Sequence, residues 1–316
     1  MRVAPAGQLG GAAAWPAQVR SLLRRCDFPP AGGTAVCAVS GGADSLAMLA
    51  LAVASGCRAG AVHVDHALRR AGAEEAEMVR AAAEALGASF QLVKVSVEPG
   101  PDLEARARLA RYAALPVGVL VGHTADDQAE TLLLNLVRGA GLDGLCAMRP
   151  AGGGLRGVRR PILRLRRAET ASLVRLLGLE AVADPSNFEP RFRRNRIRHD
   201  VLPLLAEVSG RDPVPLLSRT AGLLREDADL LAGLAEALDP SDARALRAAP
   251  GPLAKRALRS WLRQAEGPEH HPPSAGDVER ALAVVAGAVR ACEITGGRRL
   301  SRHRGRLRLE APKPVG

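Results

Sequence analysis

From Thr34 to Gly139 the sequence alternates four times between a short β-rich run and a helical stretch, and this alternation restricts the fold more than any other feature. TAVCAV, AGAVHV, SFQLVKVSV and VGVLVG read as strands. SLAMLALAV, EEAEMVRAAAEAL, LEARARLARYAAL and DDQAETLLLNLVR follow them with helical periodicity, the last three stopping at Gly87, Pro116 and Gly139. Parallel strands need crossover connections, so strands joined through helices form a parallel sheet with helices on both faces. The expected fold is therefore α/β, a doubly wound, Rossmann-like parallel sheet. Ligands of such sheets bind beyond the carboxyl ends of the strands.

Past Gly139 the regularity loosens. A loop, GLDGLCAMRPAGGGLRG, leads to RRAETASLVRLLGL and RFRRNRIRHDVLPLLAEV, both helical by periodicity. EVSGRDP, near residues 207 to 213, has the Gly and Pro of a linker. A smaller, mainly helical C-terminal domain is expected after it, broken at GPEHHPPSAGD and closed by a small hairpin in EITGGRRLSRHRGRLRLE. The expected division is an N-terminal extension over 1–33, a catalytic domain over 34–208 and a C-terminal domain over 209–316.

The net charge of +11 suggests a polyanionic partner, nucleic acid before membrane, although with only three lysines a coding bias toward arginine contributes. Position says more than the total. Between Leu155 and Asp200 twelve arginines face five acids, which makes seven of the eleven net charges. Such a patch suits RNA or DNA phosphates, and a merely solvated basic face is the plain alternative. Five cysteines without a C-x-x-C pair give neither a disulfide framework nor a zinc site. The first residues, interrupted by Gln8, Trp15 and Pro16, never form a secretory apolar core, and no run approaches membrane-spanning length, so a cytoplasmic protein is expected.

Four stations carry chemistry. Ser40-Gly41-Gly42-Ala43-Asp44-Ser45 follows the first strand and opens a helix, where amides and the helix dipole favour an anion. No lysine follows, so it is not the G-x-x-x-x-G-K-[ST] loop. Asp44 becomes compatible with that anion once Mg²⁺ bridges it to a nucleotide's pyrophosphate; its plain alternative is an N-cap. At the second strand end, His63 and Asp65 share a face, with His66 and Arg69 just beyond. At the fourth, His123 precedes a helix starting near Thr124, whose Asp126, Asp127 and Glu130 suit an ammonium group, a metal or a proton, or simply the helix dipole. Finally, Asp184-Pro-Ser-Asn187 makes a turn before a helix from which Arg191, Arg194 and Arg198 project on one side, spaced for an RNA backbone, with Phe188 and Phe192 as stacking surfaces.

Together these stations resemble one family. SGGADS is similar to the signature loop of PP-loop ATP pyrophosphatases. HVDHALR, GHTADDQAET, RRPIL and DPSN with R-x-x-R-N-x-I-R are together similar to the tRNA(Ile)-lysidine synthetases, over about Thr34 to Leu205. The resemblance implies that ATP adenylates the C2 oxygen of the wobble cytidine in a CAU anticodon of isoleucine tRNA, releasing pyrophosphate. The ε-amine of free L-lysine then displaces AMP. It implies that Ser40 to Ser45 cradle ATP, with Asp44 at Mg²⁺, and that His63, Asp65 and Arg69 border the nucleotide. His123, Asp126, Asp127 and Glu130 would face the cytidine and lysine, Arg111 and Arg194 would stabilise charge as AMP leaves, and Arg160, Arg191, Arg194 and Arg198 would hold the tRNA. Many members carry a further C-terminal domain, so a compact form is expected here; a homodimer is also among the expectations.

Competing readings have their own signatures. A PP-loop tRNA sulfur transferase uses the same adenylation but generally needs paired cysteines, and an amidating synthetase leaves the basic segment without a task. A non-catalytic RNA-binding protein explains the charge but not four acidic and glycine-rich motifs at successive strand ends.

Overall fold

The computed structural model describes residues 15–65, 72–95, 103–152, 157–182, 189–266 and 273–311. Two compact units divide it, Met1–Gly222 and Leu223–Gly316. In the first, helix α1 (Ala17–Leu23) precedes β1 (Thr34–Ala38), α2 (Ala43–Ala54), β2 (Arg58–Asp65), α3 (Gly72–Leu86), β3 (Ser89–Lys94), α4 (Leu103–Ala114), β4 (Leu120–Val121) and α5 (Ala125–Val137). All four strand-helix repeats are present. The strands pair in parallel in the order β3-β2-β1-β4, so the chain winds outward from β1, returns, and places β4 on its other side. The reversal falls between β1 and β4, and a crevice at their carboxyl ends is where such sheets bind ligands.

Side chains of β1 alternate between two cores, as the two-residue period of a strand requires. Ala35 and Cys37 enter a cluster with α1, α2 and α3, while Val36 and Ala38 pack on Val62, Leu115, Val119 and Val121 on the opposite face. Helix α2 is apolar almost all round because it is covered on every side: Leu46, Met48, Leu49 and Leu51 are fully buried, each contributing roughly 2 kcal/mol. Strand β4 is much shorter than VGVLVG suggests. Gly118 takes φ +74°, which turns the first half of that run away from the ladder. On its outer side Val121 N–H donates to the Arg159 carbonyl and Arg159 N–H to Val119, so the RRPIL segment extends the sheet edge.

The 140–152 loop holds a short helix, α6 (Leu142–Leu145), and is tied to α5 by Gln128, whose amide bonds the Met148 N–H and carbonyl at 3.0 Å each. Helix α7 (Arg167–Leu176) then packs against α2. After it come α8 (Arg193–Arg196), a π-helical turn (Ile197–Val201) and α9 (Leu202–Ser209), whose apolar side meets α5. The expected linker is only a helix break: Gly210 caps α9 in the left-handed conformation and α10 (Pro213–Glu236) begins three residues on. The two units instead divide within α10, beyond the 208/209 boundary read from the sequence.

The second unit contains α11 (Ala243–Ala248), α12 (Gly251–Glu266) and α13 (Ala275–Ala286), followed by β5 (Ala291–Ile294), β6 (Arg298–His303) and β7 (Arg306–Glu310). These strands form a three-stranded antiparallel sheet, one more strand than the hairpin expected, because both the Gly296-Gly297 and Arg304-Gly305 turns reverse the chain. Buried Asp277 joins α13 to the end of β5, accepting from Ser274 and from the Thr295 N–H (3.0 Å) and hydroxyl (2.7 Å). Among the described residues no helix is long and apolar enough to cross a membrane.

Candidate active site

Two strand-end loops meet at the reversal. After β1, Gly41 takes φ +86° and a Cβ there would press 2.8 Å from the Val182 side chain; the Val182 N–H donates to its carbonyl at 3.0 Å. Gly42, not Asp44, is the N-cap of α2, so no side chain covers the amides of the first turn. A Cβ on Gly42 would meet nothing nearer than 3.8 Å, which leaves space in front of those amides. Ser45 closes the loop on itself, donating to the Gly42 carbonyl at 2.8 Å and accepting from the Ser40 N–H at 3.2 Å. Ala43 starts the helix and Asp44 stands in its first turn. The chain leaving β4 presses on this turn, since a Cβ on Gly122 would lie 3.0 Å from the Asp44 backbone.

His63 is buried, and its Nδ1 donates to the Val39 carbonyl at 2.8 Å, bracing the residue that leads into the loop. Asp65 ends β2 beside Gly72, whose Cβ would stand 2.7 Å from its carboxylate. His66, Arg69, the Asp184–Asn187 turn, Phe188 and the Arg111 side chain lie outside the described residues.

Four carboxylates and four arginines converge beside the loop. Thr124 is the N-cap of α5, and Asp127 Oδ2 accepts from its N–H (2.8 Å) and hydroxyl (2.9 Å). Asp127 Oδ1 accepts from Arg167 Nη2 (2.9 Å) and Arg194 Nη2 (2.8 Å). Glu130, with no exposure at all, accepts Arg167 Nη1 (3.0 Å) and Arg198 Nε (2.7 Å) on Oε1, and Arg194 Nε (2.6 Å) and Arg198 Nη2 (3.2 Å) on Oε2. Burial raises the pKa of both carboxyls, but Arg167 and Arg194 at Asp127, and Arg198 with Arg167 at Glu130, outweigh it and hold both below the usual range. They are thus stronger as anchors for a cation than as bases.

Asp126 turns to a different partner. It accepts Arg166 Nε at 3.0 Å and Nη2 at 3.1 Å, and the Arg167 N–H at 2.8 Å, fixing the start of α7 to the start of α5. Asp44 is the least compensated of the four. It accepts from the Thr170 hydroxyl, and its closest cation is Arg167 Nε at 3.5 Å. Burial pushes its carboxyl up to about 6, opposed by Thr170 and reinforced by Asp127.

The single arginine stripe is divided in the structure. Arg191 lies in the turn before α8, exposed, paired with Glu189 and stacked 4.7 Å over Phe192, whereas Arg194 and Arg198 are turned inward. Arg160 is also engaged by the fold, donating to His123 Nδ1 (3.2 Å) and the Arg149 carbonyl (2.9 Å). The residues missed from sequence are Arg166, Arg167 and Thr170. One signal was available: two arginines open α7 where its dipole disfavours cations, a placement that carboxylates from another element would compensate.

A PP-loop domain family matches residues 18–205. A tRNA(Ile)-lysidine synthase of Mycolicibacterium paratuberculosis is 46% identical over 237 residues, covering 71% of this chain and 73% of its own length. One from Nocardia farcinica is 43% identical over 251 residues (74% and 77%), and one from Rhodococcus opacus 43% over 260 (78% and 79%). The chain belongs to the tRNA(Ile)-lysidine synthase family.

The U34-tRNA thiolase NcsA of Methanococcus maripaludis superposes with a TM-score of 0.53 at 16% identity, over 66% of this chain and 78% of its own, a likeness of fold alone. The lysidine synthase relatives favour that activity over thiolation, and the cysteines agree. Cys37 and Cys57 are buried, and burial pushes the Cys26 and Cys37 thiols up to about 12, opposite to what a reactive thiolate needs. In this lysidine synthase family member the loop, the α5 acids and the α7 arginines form one continuous polar cluster.

Proposed function

We propose that this enzyme ligates free lysine to C2 of the wobble cytidine in the CAU anticodon of isoleucine tRNA. The C2 oxygen attacks the α-phosphate of ATP and the α–β bond breaks, releasing pyrophosphate. The lysine ε-ammonium gives up a proton to solvent water, the freed amine adds at C2, and AMP leaves carrying the former C2 oxygen. The observation that carries this reading is the buried Asp127–Glu130 pair, held ionised by arginines, one of which, Arg167, also reaches Asp44 at the uncapped start of α2: carboxylates that bind cations stand beside a helix N-terminus suited to phosphates.

The residues fit a magnesium ion. Among the described residues no group of three acidic, His or Cys ligands forms a closed metal cage, but Mg²⁺ usually takes one or two carboxylates and completes its shell from phosphates and water. Asp44, undercompensated at the loop, is the residue to hold it. Bound there, the ion would neutralise pyrophosphate as it departs. The amides at Gly41 to Asp44 would orient the phosphates, and Asp127 and Glu130 would hold the lysine ammonium.

The target base must leave its stack for C2 to be reached, so a splayed anticodon loop is the expected ligand. Beyond the site, Arg247, Arg290, Arg302, His303 and Arg304 line a cleft of about 510 Å³ in the C-terminal unit, with no acid among them. This suits a phosphate backbone and supports an RNA-binding role for that unit. If these arginines supply about four phosphate contacts, tRNA affinity should fall about a hundredfold between roughly 50 and 200 mM salt. A flat response in filter binding would return them to ordinary solvated surface.

The direct assay mixes the protein with ATP, magnesium, radiolabelled lysine and tRNA bearing a CAU anticodon. Label should enter the RNA only when ATP is present. Sulfur or ammonia entering instead of lysine would overturn the reading.

A further inference from the structure

We propose that Arg167 is a positioning residue that fills the lysine ammonium subsite until a nucleotide is bound, so that nucleotide binding creates the place for lysine. The inference rests on the lysine-ligase reading above. A carboxylate offers about four lone-pair positions. At Glu130 all four are taken, by Arg167 Nη1, Arg198 Nε and Nη2, and Arg194 Nε. At Asp127 they are taken by the Thr124 N–H and hydroxyl, Arg167 Nη2 and Arg194 Nη2. No acceptor remains for an ammonium, and an incoming positive charge would meet three guanidinium groups.

One cation must therefore withdraw, and the geometry distinguishes Arg167 from the others. Arg194 and Arg198 grip Glu130 from a single stretch of helix, each through its Nε. Arg167 alone also reaches the loop, with Nε 3.5 Å from Asp44 Oδ2 at the mouth of α2. Its backbone N–H is fixed by Asp126 at 2.8 Å, so the side chain can pivot while the helix stays in place. Phosphate oxygens on the loop would offer its planar fork a bidentate partner of higher charge. Its withdrawal frees one acceptor on Glu130 Oε1 and one on Asp127 Oδ1, two positions for an ammonium with three donors.

The test is equilibrium dialysis of radiolabelled L-lysine against the full chain without tRNA, with and without magnesium and α,β-methylene-ATP, which cannot be split between those phosphates. In the wild type, lysine should bind at least about tenfold more tightly with the nucleotide. In Arg167→Met, lysine should bind tightly without nucleotide, and the nucleotide should change its affinity by less than about twofold. A residue with only a structural role would not gain affinity on removal. Equal wild-type affinities in both conditions overturn the proposal, as does an Arg167→Met protein that keeps the tenfold effect, since that would be direct attraction between lysine and phosphates. Should Arg167→Met not fold by its melting curve, Arg167→Gln takes its place with the same expected outcomes. Wild-type transfer of label into CAU tRNA, run in parallel, separates the two readings: transfer without nucleotide-dependent binding defeats this inference alone, and no transfer defeats the function.

Discussion

Asp44→Asn should abolish ATP turnover, lowering it by at least about a hundredfold, and should also raise the melting temperature of the free protein at about pH 8. The loss follows from removing the carboxylate proposed to hold magnesium. The gain follows from the raised pKa. The folded protein binds this proton more readily than the unfolded chain, because burial lifts the carboxyl from 3.8 to about 6. Ionised Asp44 therefore weakens the fold, fully above about pH 6 and not at all below the unfolded value. The shift, which already includes the Arg167 pairing, sets a ceiling of about 3 kcal/mol, and the imperfect hydrogen bonding of a buried amide in place of the carboxyl reduces the gain to about 1–2 kcal/mol. A rise of roughly 3–6 °C in a thermal melt is the expected reading, shrinking as pH falls toward 4. Unaltered turnover, or a destabilised variant, would contradict the placement of Asp44.

Glu130→Ala should cost about 3–5 kcal/mol in urea unfolding and remove lysine transfer. The cost arises from what stays behind: Arg167, Arg194 and Arg198 lose a shared anionic partner in a site where Glu130 itself has no exposure. Because its folded pKa is lowered, Glu130's contribution is complete above its unfolded value near 4.5 and is lost as pH falls through the folded one. The penalty should therefore be the same at neutral pH and at about pH 6. A cost under about 1 kcal/mol would mean that the three guanidiniums find water instead.

The sheet was legible because its signals are local. Strand and helix periods, with Gly87, Pro116 and Gly139 as stops, are written in consecutive residues, and the loop at Ser40–Ser45 announces itself by glycines between an apolar strand and an apolar helix. Strand β4 was overread because hydropathy does not register that Gly118 adopts a left-handed conformation. The carboxylates of α5 were recognisable from their spacing, but their partners were not. Arg194 and Arg198 lie 64 and 68 residues from Glu130, and helical period gives a common face without saying whether it looks to solvent or to a buried acid. Arg167 was hidden for the same reason, its partners being 37 and 40 residues upstream. His63 had the pattern of a nucleotide contact, and its ring is bonded to the Val39 carbonyl.

The central claim is that Gly41 to Asp44 form an open cradle of amides at the head of α2, with Asp44 beside it, that receives the phosphates of ATP. A crystal structure with magnesium and α,β-methylene-ATP tests this most directly. Triphosphate density over Ser40 to Ser45, with a metal at Asp44, is the expected result; a nucleotide bound elsewhere while that cradle stays empty would contradict it.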